Sequence, residues 1–306
     1  YDQRFQNGFD CQGLWLEVET EKALGFNSKK DIENYGIANF SRACRARVEQ
    51  FSRVQTQQSV LLGQWMDWGN DYYTMSDGNI EAIWHFLKTC HERGWLYKGK
   101  RVLPWCVRCG TSSSRHEMSD EGYAELVHPS VYVKAKIQGR KNEYLLIWTT
   151  TEWTLSSNVA AAVNPALTYV RAKKGDEVYY LAEALVSTLG KGVQVLQKIM
   201  GAEMVGWAYE SFYPHFEAQK GVAPRVVGFE EVSEKEGTGI VHIAPTCGDI
   251  DFDLGKKCDL PLLPAALDDF GNYAPGFGWL AGKNVKDVKD AIVQELDERG
   301  ILFRTE

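Results

Sequence analysis

The apolar periodicity of this 306-residue chain changes once, near residue 103, and that change limits what it can fold into. Before it, apolar residues recur every three or four positions, as in Ile32, Tyr35, Phe40, Cys44, Val48, Phe51 and Val54. That spacing predicts a helix with one buried stripe. A second helix is predicted after Ser76, Asp77 or Asn79 as its cap, with Ile80, Ile83, Leu87 and Cys90 inward and Gly94 in its closing turn. Between them, Leu62 to Met75 reads LGQWMDWGNDYYTM, an aromatic stretch expected to pack as core. After residue 103, short β-branched and aromatic runs alternate with turn residues: 131–137, 144–151, 167–173, 178–181, 193–196, 225–229 and 239–244. Helices are expected near 182–189 and 249–258, and a last one carries Val285, Val288, Ile292 and Leu296 before Gly300. The fold class is therefore α/β, a mainly helical segment followed by a strand-rich region with a few helices.

At ~150 residues per domain, the length allows about two domains, with the boundary expected between Cys106 and Glu125. The net charge of −7 excludes RNA binding by bulk electrostatics, so any such contact needs a local patch. No run approaches the ~18 apolar residues of a membrane span. The seven cysteines, only two of them closely spaced, suit a reducing compartment and not a disulfide framework, so a cytoplasmic location is expected. The chain opens Tyr-Asp-Gln-Arg, without an initiator Met or a leader, and is expected to be part of a longer protein.

Three segments could carry chemistry. Pro104 to Thr111 contains Cys106-Val-Arg-Cys109, the knuckle form of half a zinc site; completing it would need His116 and another residue, or ligands elsewhere. Trp148 to Asn158 reads WTTTEWTLSSN, a row of hydroxyls and a carboxamide leaving a strand. Such groups donate and accept, so they suit sugar hydroxyls, an ester carbonyl or a held water, although threonine is also simply favoured in strands. Glu236 to Asp251 reads EGTGIVHIAPTCGDID, placing His242 and Asp251 after glycine turns. His242 could bond or wall a ligand, and Asp251 could hold an ammonium group; a packed histidine and a helix cap are the plain alternatives.

Six segments in order, GFDCQGLWLEVETEKALG, LGQWMDWGNDYYTM, VLPWCVRCGT, PSVYVKAK, WTTTEWTLSSN and GTGIVHIAP with its trailing Asp, resemble the isoleucyl-tRNA synthetases of class I. The triple threonine separates this branch from valyl and leucyl relatives, which have an arginine after a shorter Thr pair. The resemblance spans nearly the whole chain. It implies a partial Rossmann-type catalytic core over 1–105, a zinc-knuckle-like linker over 106–121 and a β-barrel-like connective-peptide editing domain over 122–306. It also implies that Thr150, Thr151 and Thr154 line an editing pocket and hold the ester and water, while Asp251 binds the aminoacyl ammonium. His242 would crowd the side-chain branch, Asn158 would fix the terminal adenosine, Trp153 would contact substrate, and Asp10 would meet the amino acid in the synthetic site.

The expected substrate is valyl-tRNA(Ile), with isoleucyl esters spared, and the partner is the aminoacyl end of tRNA(Ile). The resemblance implies that editing needs no cofactor and that the complete ligase needs ATP, whose HIGH-type and KMSKS-type motifs do not occur here. A monomer is expected. Departures are also present: Glu152 and Ser156 stand where the family pattern has prolines, and Gln12 and Trp15 replace a His and a Pro. Losing two fixed φ angles should loosen the threonine loop, and Glu152 should oppose an approaching phosphate. These changes motivate an alternative, a non-catalytic chain of the same family that binds the tRNA end.

Overall fold

The computed structural model describes residues 4–114 and 128–306, which divide into two compact units on either side of Lys100 and Arg101. His116 and residues 122–127, included in the expectations above, lie outside the described residues.

In the first unit, β1 (Gly8–Phe9) is followed by α1 (Leu14–Leu24), α2 (Lys29–Tyr35) and α3 (Ile37–Leu61), then β2 (Tyr72–Tyr73) and α4 (Asp77–Glu92). β1 and β2 pair in parallel. The helix expected across Ile32 to Val54 is two helices, because the chain turns at Gly36 with φ 94°, a conformation that glycine adopts without a Cβ clash. Its apolar stripe is not buried as the spacing predicts: Phe40 is, but Phe51 is 42% exposed. α4 starts after Ser76 as expected, yet none of its residues is buried and Ile83 is 49% exposed. Trp65, expected in a core, is 88% exposed. Periodicity predicts helices here, but among the described residues Leu16 and Phe40 are the only apolar side chains of these helices that are buried.

The second unit contains a small antiparallel hairpin, β3 (Trp105–Cys106) and β4 (Thr111–Ser112), with Cys106 ending β3 and Cys109 in the turn. Then come β5 (Val131–Lys136), β6 (Glu143–Thr149), β7 (Ala160–Val163), β8 (Thr168–Lys174), β9 (Glu177–Ala182) and β10 (Val193–Met200). After the short α5 (Gly201–Met204) follow β11 (Arg225–Gly228), β12 (Ile240–Ile243), α6 (Asp249–Lys257), α7 (Lys289–Glu298) and β13 (Leu302–Thr305). The main sheet runs β10-β8-β9-β6-β12-β7-β11, with β5 joining β6 and β13.

β6 organises this sheet. One edge pairs along its length with β5; the other pairs with β9 through residues 143–145 and with β12 at Trp148. The fork lets the sheet curl. Residues 206–210 then bridge its far sides: Gly206 donates to Val226, Val226 to Trp207 and Tyr209 to Pro224, while Gln138 donates to Ala208 and Glu210 to Lys136. The ring β5, β6, β12, β7, β11 and this segment is a small closed barrel, which removes most exposed edges.

Alternate residues fill its interior, among them Val131, Val133, Ala135, Leu145, Ile147, Ala161, Val163, Val226 and Ile240. The other side of β7 is also covered, Ala160 and Ala162 packing with Val227, Ile243 and Leu254. A strand buried on both faces shows no polar alternation, which is why Ala160–Val163 does not read as a strand in sequence. All seven expected strands form, six close to their predicted bounds and β10 four residues longer, and the helix near 182–189 is a 3-10 helix.

Candidate functional site

β6 ends at Thr149, and residues 152–157 wind into a 3-10 helix directly after it. β12 runs beside the end of β6 and brings His242, while the turn after β12 leads to Asp251 in the first turn of α6. These three segments surround a cavity of about 270 Å³. Its polar lining is Thr149, Thr150, Thr151 and Thr154 with His242 and Asp251; its other lining residues are Trp148, Val241, Cys247 and Gly248.

The hydroxyls form a directed chain. The Thr154 hydroxyl donates to the Thr151 carbonyl at 2.7 Å, which uses its single proton. Its oxygen therefore accepts from His242 Nε2 at 2.8 Å and from the Thr151 hydroxyl at 3.1 Å. Thr151 Oγ1 is then left to accept from Thr149 Oγ1 at 3.2 Å, and Thr149 Oγ1 accepts the Thr151 amide at 3.1 Å. One proton per hydroxyl thus assigns the His242 proton to Nε2. Its Nδ1 is buried and has no hydrogen-bond partner among the described residues.

Burial also fixes the charges. It pushes the His242 imidazole down to about 4, so the ring is neutral near pH 7. It pushes the Asp251 carboxyl up from its ordinary value, against the stabilising Ala244 N–H, which donates to Asp251 Oδ2 at 2.8 Å. Asp251 is not the helix cap, a position held by Gly248; its carboxylate bonds backward into the preceding turn. The Cys247 thiol is likewise raised by burial and stays protonated, a poor nucleophile. A neutral imidazole, a polarised row of hydroxyls and one desolvated carboxylate suit positioning of a water and a cationic ligand.

Two residues expected beside these lie elsewhere in the unit. Asn158 is 1% exposed, and both ends of its amide are engaged: Nδ2 donates to the Ala160 carbonyl at 2.9 Å, and Oδ1 accepts from the Tyr209 hydroxyl at 2.7 Å. Trp153 packs on the barrel core, its carbonyl accepting from Tyr273 at 3.0 Å. Neither lines the cavity. Asp10 belongs to the first unit, where its Oδ1 accepts from the Gln12 amide at 3.3 Å.

The replaced prolines leave a tied loop. Ser156 Oγ donates to the Trp153 carbonyl at 2.9 Å, and Gln219 Nε2 donates to the carbonyls of Ser156 and Asn158 at 2.8 and 3.1 Å. Hydrogen bonds thus do what two fixed φ angles would. Glu152 is only 6% exposed, facing the interior far more than an approaching phosphate. Trp148, Thr149, Val241, Cys247 and Gly248 also line the cavity; all lie inside the two quoted segments, but local sequence assigns none of them a role at the site.

At the knuckle, the thiols diverge. Burial raises Cys106, but the amides of Cys109 and Arg108 and the Arg108 guanidinium outweigh it, so that thiol lies below its ordinary value while Cys109 is raised. A depressed thiol suits a metal ligand. Among the described residues, however, no group of three or more His, Cys, Asp or Glu could hold a metal, so the pair offers half a site. No described helix is long and apolar enough to cross a membrane.

A family model described as tRNA synthetases class I (I, L, M and V) matches residues 1–215. Isoleucine–tRNA ligase of Pyrococcus horikoshii is 41% identical over 98% of this chain, and that of Sulfolobus acidocaldarius is 39% identical over 99%. The chain spans 29% and 30% of their lengths. Among solved structures, GlLeuRS-CP1 aligns with a TM-score of 0.50 at 16% identity, covering 58% of this chain and 99% of that one, a likeness of fold.

Proposed function

This chain belongs to the class I tRNA synthetases of the I, L, M and V group, and on that premise we propose that its second unit hydrolyses valyl-tRNA(Ile). The observation behind this reading is the convergence of Thr150, Thr151, Thr154, His242 and Asp251, from three separate segments, on one cavity. The need for such a site is physical. A pocket for isoleucine gains only about 1–3 kcal/mol over valine from one methylene, a limit for which this amino-acid pair is itself the standard illustration.

Asp251 receives the ammonium of the aminoacyl group, distinguishing a charged RNA end from an empty one. The threonine hydroxyls hold the ester carbonyl and a water. The water oxygen bonds to the carbonyl carbon, the bond to the ribose oxygen breaks, and the proton passes to that oxygen, releasing valine and tRNA. His242, neutral and anchored on Thr154, limits the space for a larger side chain. Catalysis is by position and hydrogen bonding, without a covalent intermediate.

The division into a catalytic-core part over 1–105, a knuckle over 106–121 and an editing domain over 122–306 is part of this reading. So are an isoleucine–tRNA ligase activity with ATP for the whole protein, Asp10 at its amino-acid site, and zinc at the knuckle, where Cys106 and Cys109 would supply two ligands. Bound zinc would fold and hold the hairpin turn.

The test is valine release from valyl-tRNA(Ile) by the purified chain. Asp251→Ala should reduce it roughly a hundredfold or more, the scale of losing a transition-state contact. Release unaffected by that change would refute the reading, and tRNA-end binding without release would favour the non-catalytic alternative.

A further inference from the structure

Resting on the hydrolytic reading of the cavity, we infer that Gly237 is a positioning residue, which sets the apolar wall of that cavity by holding the Trp148 indole from behind. Gly237 has φ +67°, and a Cβ built on it would lie 2.7 Å from Trp148 Cε3 and 2.8 Å from Cδ2, inside any real carbon contact. Its backbone is therefore flush against the ring. Trp148 in turn lines the cavity beside Val241, its register partner on β12.

The loop behind the ring cannot recoil. Gly239, with φ +70°, is equally tight against Ala182, where a Cβ would meet Ala182 Cβ at 2.5 Å. The Ala182 amide donates to the Thr238 carbonyl at 2.9 Å, and the Thr188 hydroxyl donates to the Gly237 carbonyl at 3.4 Å. The loop is pinned to the end of β9 and the 3-10 helix after it. An added methyl at 237 must therefore displace the indole, and the indole forms part of the cavity wall. In close-packed interiors such a shift is transmitted, not absorbed.

The experiment compares four variants of the full chain for kcat and KM on valyl-tRNA(Ile). Gly237→Ala should lower kcat/KM roughly tenfold or more, the scale of a misplaced reacting geometry. Gly175→Ala is the control: it has φ +59° with nothing within 4 Å of its Cβ, so it carries similar backbone strain without a neighbour and should leave kcat/KM unchanged. Trp148→Ala removes the ring that the added methyl would meet, and the double variant Gly237→Ala/Trp148→Ala should be no worse than Trp148→Ala alone. Losses that multiply in the double variant, or a Gly175→Ala loss equal to that of Gly237→Ala, would overturn the inference.

A second readout does not depend on activity. Acrylamide quenching of Trp148, taken as wild type minus Trp148→Ala and as Gly237→Ala minus the double variant, should differ between the two; equal quenching would overturn the inference. A wild-type chain without deacylase activity would instead count against the hydrolytic reading while leaving the quenching test intact.

Discussion

Two buried titratable groups at the cavity work against stability in opposite pH ranges. His242 has its folded value near 4 against an ordinary 6.5, so between these the unfolded chain binds a proton that the folded chain does not. Its contribution is full above 6.5 and is lost as pH falls toward 4, about 3 kcal/mol over the interval. Urea unfolding from pH 7.5 to 4 should show this loss, and His242→Gln should flatten it. For Asp251 the sign is reversed, since burial raises its folded value and stability falls as pH rises through its range. Asp251→Asn keeps an acceptor for the Ala244 amide and removes a desolvated charge. At pH 7 it should therefore melt no lower than wild type while losing valine release; a lower melting temperature would contradict this account. That opposition between stability and recognition is what a ligand-binding carboxylate shows.

Among the elements, the 3-10 helix over 152–157 decides which polar side chains reach the cavity. Its tight turn sends Thr154 to His242 but Asn158 into the barrel, where Tyr209, fifty-one positions later in sequence, takes its carbonyl oxygen. Local sequence shows only that both are polar and places both at the pocket; the long-range partner decides, and the structure brings Thr154 to the cavity and turns Asn158 away from it. The same limit hid β7, whose alanines are buried on both faces, whereas strands with bulky β-branched runs were read close to their bounds. The helix depends on Gln219, whose amide is the shared donor to two buried carbonyls. Gln219→Leu should cost about 2 kcal/mol, since it leaves both acceptors unpaired. It should also lower valine release more than it lowers tRNA binding, because it displaces the threonines. Unchanged thermal melting would show that the loop is held by other contacts.

At the scale of the molecule, the two units differ in how much apolar surface they bury. Among the described residues of the first unit, Phe9, Leu16 and Phe40 are the buried apolar side chains, while Leu61, Leu62, Trp65, Trp84 and Tyr97 stand exposed. The second unit has a closed barrel and cores on both faces of its sheet. Burial on the first scale offsets little of the chain entropy lost on folding. Urea should therefore unfold the chain in two steps, helical signal being lost first and the barrel's tyrosine environment later; one coincident transition would contradict the division. The helical and strand-rich parts were legible because period is local, whereas which faces are covered depends on residues far along a chain. Under the proposed function, the cavity of the second unit selects an aminoacyl ester by size. The most direct measurement is the ratio of single-turnover deacylation rates for valyl-tRNA(Ile) and isoleucyl-tRNA(Ile) by the purified chain. Rapid release of valine with the isoleucyl ester spared is expected; equal rates for the two esters would contradict selection by size.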